Sequence, residues 1–91
     1  MQIEKVETFL VSSFLIVRIT TDTGIQGIGE CCFWGFPRAA EEIIESFTED
    51  LVGMNPSDTE HIWNYLYRKK SFRGNGVSGA ISAIDVALWD I

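Results

Sequence analysis

No run in the 91 residues approaches the roughly 18 apolar side chains that a membrane-spanning helix needs, and Met1 leads straight into mixed polar sequence rather than a leader. A soluble, cytoplasmic protein is the expectation. Basic charge is scarce: seven Lys and Arg against thirteen Asp and Glu give a formal net charge of −6, which argues against nucleic acid as the main partner. Four of the seven cations fall together at Arg68, Lys69, Lys70 and Arg73. A phosphate or carboxylate contact is one reading of that cluster. A solvated helix end, whose cations suit the C-terminal dipole, is the plainer one. Cysteine is limited to Cys31 and Cys32, which are adjacent. A disulfide between neighbours needs a strained ring, and one vicinal pair lacks the four-ligand spacing of a structural zinc site. Successive strand residues also point to opposite faces, which suits packing better than chelation. The lone histidine, His61, sits beside Glu60 on a predicted helix and reads as a boundary residue rather than a ligand. Repeats, low-complexity tracts and linkers are absent, so the chain is one domain. At this length it buries roughly 60–65% of its unfolded surface, a real but modest core.

The pattern that is present runs from strands to helices. Residues 3–11 read as a first strand, rich in Val, Phe and Leu but poorly alternating. After Ser12-Ser13, residues 14–20 form a clearer strand with Leu15, Val17 and Ile19 on one face. Asp22-Thr23-Gly24 supplies a hairpin turn, and a third strand follows over residues 25–31. Gly27 and Gly29 inside that strand mark a bulge or a close approach of backbone. Pro37 fits the first turn of a helix carrying Ala40, Ile43, Ile44, Phe47 and Leu51 at helical spacing, with Gly53 as its C′ residue. Ser57-Asp58-Thr59-Glu60 has the capping-box pattern and opens a second helix to about Lys69, with Ile62, Tyr65, Leu66 and Lys69 along one stripe. Residues 71–79 read as a loop. The fold class is α+β: a three-stranded antiparallel meander followed by three helices.

The third helix, predicted from about Ser78, is apolar almost all round, interrupted only by Ser82, Asp85 and Asp90. Such a helix wants burial on several sides. Three strands and two helices cover one side of it, and the sequence reaches Ile91 without a C-cap glycine, proline or basic last turn. The expectation is a continuing chain or a large partner against this helix, with self-association through residues 78–91 as the other possibility.

The segment Ala80-Ile81-Ser82-Ala83-Ile84-Asp85-Val86-Ala87-Leu88-Trp89-Asp90-Ile91 resembles the start of the signature of the mandelate racemase/muconate lactonizing enzyme family, in the enolase superfamily. "IVRITTDTGIQGIGE" (16–30) resembles that family's N-terminal hairpin, and "DLVGMNPSDTEHIWNYLY" (50–67) its middle helices. The three segments occur in the right order, and the resemblance covers essentially the whole chain. It implies that residues 1–91 are an N-terminal capping domain whose last helix is truncated, and that the family's (β/α) barrel is absent. In the family the barrel carries the Mg²⁺ ligands and the Lys or His bases that remove a proton α to a carboxylate, and the metal holds the ene-diolate. The resemblance therefore implies Mg²⁺ in a full-length parent, no metal or catalytic residue in this segment, and a carboxylate substrate. The short first connection and "FRGNG" (72–76) are similar to sugar-acid dehydratases of the galactonate dehydratase kind, in which α-proton removal is followed by loss of the β-hydroxyl as water. Racemases, epimerases and muconate-type cycloisomerases share the cap fold, which does not fix the reaction. A stand-alone, non-catalytic oligomerising module is the reading from another class.

The resemblance also implies that two cap loops face the substrate: residues 10–14 and residues 32–37. The "GIGECCFWGFP" run (27–37) then aims an aromatic wall at the pocket, and the substrate-binding candidates are Phe14, Phe33, Trp34 and Phe36. The competing expectation for the aromatics after the third strand is core packing under the first helix. Glu30 reads as an acceptor for backbone N–H groups or an arginine. Arg73 could reach a substrate carboxylate. Glu41, Glu42, Glu45 and Glu49 form an acidic, solvated stripe, and Asp85 and Asp90 read as partners in a domain-interface salt bridge.

Overall fold

The computed structural model describes residues 1–31, 36–69 and 74–91. Three strands, β1 (Ile3–Val11), β2 (Phe14–Thr21) and β3 (Gln26–Cys31), precede three helices, α1 (Pro37–Leu51), α2 (Thr59–Lys69) and α3 (Asn75–Asp90). The strands form one antiparallel sheet in the order β1-β2-β3, the meander expected from the sequence. The poor alternation of β1 has a local cause. Ile3 lies opposite Thr21 while Lys5 lies opposite Thr20, so the register slips at Glu4 and Ile3 is brought onto the buried face. Beyond the slip, Val6, Thr8 and Leu10 face inward against Ile19, Val17 and Leu15.

The β1–β2 connection is the two residues Ser12 and Ser13, with Val11 directly opposite Phe14. Ser12 has φ 57°, the left-handed conformation that matches a tight turn to the strand twist. At the other end of β2, buried Thr21 closes the next turn. Its Oγ1 accepts from the Ile25 N–H at 3.2 Å and donates to the Ile25 carbonyl at 3.1 Å.

α1 and α3 lie against the face of the sheet that carries Leu15, Val17 and Ile19, and α2 packs on α3. α1 buries Ala40, Ile44, Phe47 and Leu51, the predicted stripe, and opens with Pro37 in its first turn. Its exit is a type II turn: Val52 at φ −61°, ψ 127°, then Gly53 at φ 95°, with the Met54 N–H donating to the Leu51 carbonyl at 3.0 Å. The same turn holds the start of β1, because the Gly53 N–H donates to the Ile3 carbonyl and the Ile3 N–H to the Met54 carbonyl, at 2.9 and 2.8 Å. Gly53 is therefore both the helix stop and an edge partner for the sheet.

Two boundaries differ from the sequence pattern. The predicted capping box is displaced by one residue: the Asn55 carboxamide accepts from the Ser57 N–H at 2.9 Å, holding Ser57 outside the helix, and Asp58 supplies the first carbonyl, to the Ile62 N–H. α3 starts at Asn75, three residues before the predicted Ser78, with the Ser78 N–H donating to the Gly74 carbonyl at 2.8 Å. Val77 packs against the core, and that contact outweighs the weak helix preference of the glycine beside it.

α3 is the centre of the domain. Ala80, Ile81, Ala83, Ile84, Ala87 and Leu88 are buried between the sheet, α1 and α2. Its covering is more complete than the sequence suggests, and a ridge of Ser78, Ser82, Val86, Trp89 and Asp90 remains exposed among the described side chains, with Val86 50% and Trp89 71% accessible.

Candidate functional site

The glycines that open the "GIGECCFWGFP" run are explained by helix α3. A Cβ on Gly29 would lie 1.9 Å from the Ala83 carbonyl oxygen, and one on Gly27 would lie 2.0 Å from the Ala87 carbonyl oxygen. β3 thus rests directly on the helix backbone, with no side chain between. Asp90 adds a clasp: its Oδ2 accepts from the Ile28 N–H at 2.8 Å. Ile28 stands on the free edge of the sheet, so the carboxylate satisfies a backbone donor that no neighbouring strand takes. Within the domain Asp90 is exposed apart from this backbone contact, and Asp85 is half-buried.

This seating fixes the end of the sheet from which the candidate loops project. Leu15 pairs with Cys31, so the Ser12-Ser13 turn and the exit of β3 lie side by side. Gly79, in the first half of α3, brings its helix to that same end: a Cβ there would meet the buried Cys31 Sγ at 3.1 Å. The first turn of α1 belongs to the same corner, where Glu41 accepts from the Thr8 hydroxyl at 3.1 Å and pairs with Arg38 at 3.8 Å. On this rim Phe14 is 44% accessible and Phe36 is 66% accessible. Core packing under α1 does not describe Phe36. Phe33 and Trp34, the other two candidates, lie outside the described residues, as do Cys32, Lys70 and Arg73.

Three further expectations are settled by position. Glu30 is exposed on the outer face of the sheet opposite Ile16, and its side chain has no hydrogen-bond or ion-pair partner among the described residues. Arg18, on the neighbouring strand, is held by Glu7, with Nη2 2.9 Å from Oε1, and lies 4.8 Å above the Phe9 ring. Glu42, Glu45 and Glu49 form the solvated acidic row, while Glu41 is half-buried against Thr8. His61 is exposed, its ring 6.4 Å from that of Tyr65.

Sequence reasoning missed a polar junction between α1 and α2. Asp50 accepts from the Tyr65 hydroxyl at 3.0 Å and from the Lys69 ammonium. The hydrogen bond to Asp50 raises the Lys69 pKa above its ordinary value. The only signal for this in the sequence was the placing of Tyr65 and Lys69 on one stripe.

Among the described residues, no three His, Cys, Asp or Glu side chains converge as a metal site would require. What this end of the sheet provides, among the described residues, is two exposed aromatic side chains, Phe14 and Phe36.

Comparison with known proteins agrees with this architecture. The family described as "Mandelate racemase / muconate lactonizing enzyme, N-terminal domain" matches residues 3–91. The chain is 37% identical to a D-galactonate dehydratase of Variovorax paradoxus and 38% identical to one of Pectobacterium atrosepticum, each over the whole of this chain and 24% of the relative. Among solved structures it resembles the 3,6-anhydro-D-galactonate cycloisomerase of Zobellia galactanivorans, with 35% identity, TM-score 0.90, and coverage of 99% of this chain and 28% of the other. An enolase from Agrobacterium radiobacter, solved with sodium and L-malate bound, gives 32% identity and TM-score 0.90 over 99% of this chain and 24% of its own. The fold is thus that of an enolase-superfamily N-terminal domain. This chain belongs to the mandelate racemase/muconate lactonizing enzyme family, and it spans about a quarter of the length of the relatives it matches (24%).

Proposed function

We propose that this domain caps the active site of an acid-sugar dehydratase of the D-galactonate dehydratase kind. The observation that carries the reading is the end-to-end match to two such dehydratases at 37% and 38% identity. The reaction removes the proton α to the substrate carboxylate and expels the β-hydroxyl as water. The base and the Mg²⁺ ligands of that reaction are assigned to no residue of this chain. The described side chains offer no convergent donor set for the ion.

The part assigned to residues 1–91 is substrate fit. Phe14, Phe33, Trp34 and Phe36 form the aromatic wall that excludes water and discriminates between sugar acids. The exposed ridge of α3, Val86 and Trp89 above all, is the surface that rests against a barrel domain. No helix among the described residues is long and apolar enough to cross a membrane, and a cytoplasmic enzyme is part of the proposal. A cycloisomerase is the second reading, supported by the 35% identity to the Zobellia enzyme.

The test begins with the intact mass of the polypeptide from its native source, followed by assay of that polypeptide with Mg²⁺ against D-galactonate, its stereoisomers and 3,6-anhydro sugar acids. Formation of a 2-keto-3-deoxy acid from an acid sugar is the expected result. Ring opening of the anhydro sugar without loss of water would transfer the assignment to cycloisomerisation. A native polypeptide of 10.2 kDa with neither activity would remove the cap reading altogether.

A further inference from the structure

Among the described residues, Ser12 alone combines a side chain with a left-handed backbone. Gly24, at φ 88°, and Gly53, at φ 95°, make their turns with glycine, which meets no Cβ penalty there. Ser12 takes φ 57° with its Cβ in place. Thr21 shows how a hydroxyl can secure a turn, bonding the Ile25 backbone at the other end of β2. The Ser12 hydroxyl does nothing of the kind. It belongs to an exposed residue and has no hydrogen-bond partner among the described residues. A side chain kept at a costly φ without local compensation points to a contact that the domain itself does not make.

The turn is a stiff support for that hydroxyl. Val11 lies directly opposite Phe14, and Leu10 lies opposite the fully buried Leu15, so paired strands hold both ends of the two-residue connection. Two residues along the chain stands the exposed ring of Phe14. An aromatic ring with a fixed hydroxyl beside it suits a polyol: the ring covers C–H surface, and the hydroxyl can both donate to and accept from a sugar hydroxyl. We infer that Ser12 is a specificity-determining residue whose hydroxyl bonds one hydroxyl of the sugar-acid chain, at a carbon beyond the reacting α and β positions. The inference rests on the proposal that this domain caps an acid-sugar dehydratase. It adds to the aromatic wall the polar contact that separates epimers, because an apolar wall cannot strongly distinguish one hydroxyl arrangement from another.

The test uses the native full-length polypeptide and two substitutions that separate the hydroxyl from the backbone. Ser12→Ala removes the hydroxyl and keeps the Cβ, whereas Ser12→Gly removes both and relaxes the turn. Steady-state kinetics are measured on D-galactonate and on its epimers and deoxy analogues at the γ and δ carbons. Both variants are expected to lower kcat/KM for the preferred sugar acid by roughly 3- to 10-fold, the worth of one neutral hydrogen bond. For the analogue that lacks the hydroxyl bonded by Ser12, the variants and the unaltered protein are expected to coincide. Ser12→Gly is expected to melt at or above the unaltered protein, which separates its loss of turnover from unfolding. Selectivity unchanged in both variants overturns the inference and leaves the cap reading standing. So does a loss in Ser12→Ala that Ser12→Gly does not share, because the shape of the turn, and not the hydroxyl, would then be responsible. A polypeptide that turns over no sugar acid overturns the dehydratase reading itself, and this inference with it.

Discussion

Gly29→Ala is expected to be among the most damaging single substitutions in this domain, lowering the melting temperature by roughly 12–24 °C. The new methyl carbon would sit 1.9 Å from the Ala83 carbonyl oxygen and 2.9 Å from its carbonyl carbon. Neither is the movable end of a side chain, so β3 and α3 must separate. Over-packing of this kind costs about 3 kcal/mol, at the upper end of the usual range, and each kcal/mol shifts the midpoint of a domain this size by about 4–8 °C. Gly27→Ala meets the Ala87 carbonyl oxygen at 2.0 Å and is expected to behave in the same way. Gly74→Ala is the control: nothing lies within 4 Å of a Cβ there, and the φ of −167° is one that any residue adopts. Its effect is expected to stay within about 0.5 kcal/mol. Thermal melts by circular dichroism decide the matter. A Gly29→Ala protein that melts alongside Gly74→Ala would mean that the strand does not rest on the helix backbone.

Substrate choice is the second place where a large effect is expected. Phe36→Ala and Trp34→Ala, made in the full-length native polypeptide, are expected to change the ratio of kcat/KM between competing sugar acids by roughly tenfold or more, since even one methylene in an apolar pocket is worth 10- to 200-fold. For Phe36 the melting temperature is expected to change little, because the ring is 66% accessible in the domain. Steady-state kinetics on pairs of epimeric substrates, beside a thermal melt, separates the two roles. A large drop in stability with the selectivity ratio unmoved would make the aromatic rim packing material and remove the wall from the proposal.

What could be read in the sequence was whatever is encoded within one element or one turn. Leu15, Val17 and Ile19 alternate, and they are the buried face of β2. Ala40, Ile44, Phe47 and Leu51 recur at helical spacing, and they are the buried face of α1. Gly53 marked a helix stop, and its φ of 95° bears this out. The fold class followed because these periods switch once, from two to 3.6, and do not switch back.

Long-range polar pairing was harder to see. Asp90 looked like half of a salt bridge, since a carboxylate on an apolar helix asks for a cation. Within the domain it takes the Ile28 N–H, 62 residues away, and no spacing rule connects them. Glu30 shows the reverse: a strand-end carboxylate suggests a bound donor, but its side chain is exposed and has no such partner among the described residues. The capping box misled by one residue because Asn55 competed for the Ser57 N–H. At the rim, sequence reasoning could place Phe14 and Phe36 on loops, but only the pairing of Leu15 with Cys31 brings those loops together.

The bare contact between β3 and α3 also dictates an order of events in folding. β1 and β2 meet across two residues and can zip as soon as both exist, whereas β3 has little to bury on its inner face until a helix some sixty residues downstream arrives: its Gly27 and Gly29 contribute no side chains. Pulse-labelled amide exchange during refolding is expected to protect β1–β2 amides before that of Ile28, and simultaneous protection would refute this order. On a ribosome the consequence is temporal: the emerging chain carries an unfinished sheet edge until α3 has been made, so the third strand is completed only by an element synthesised well after it.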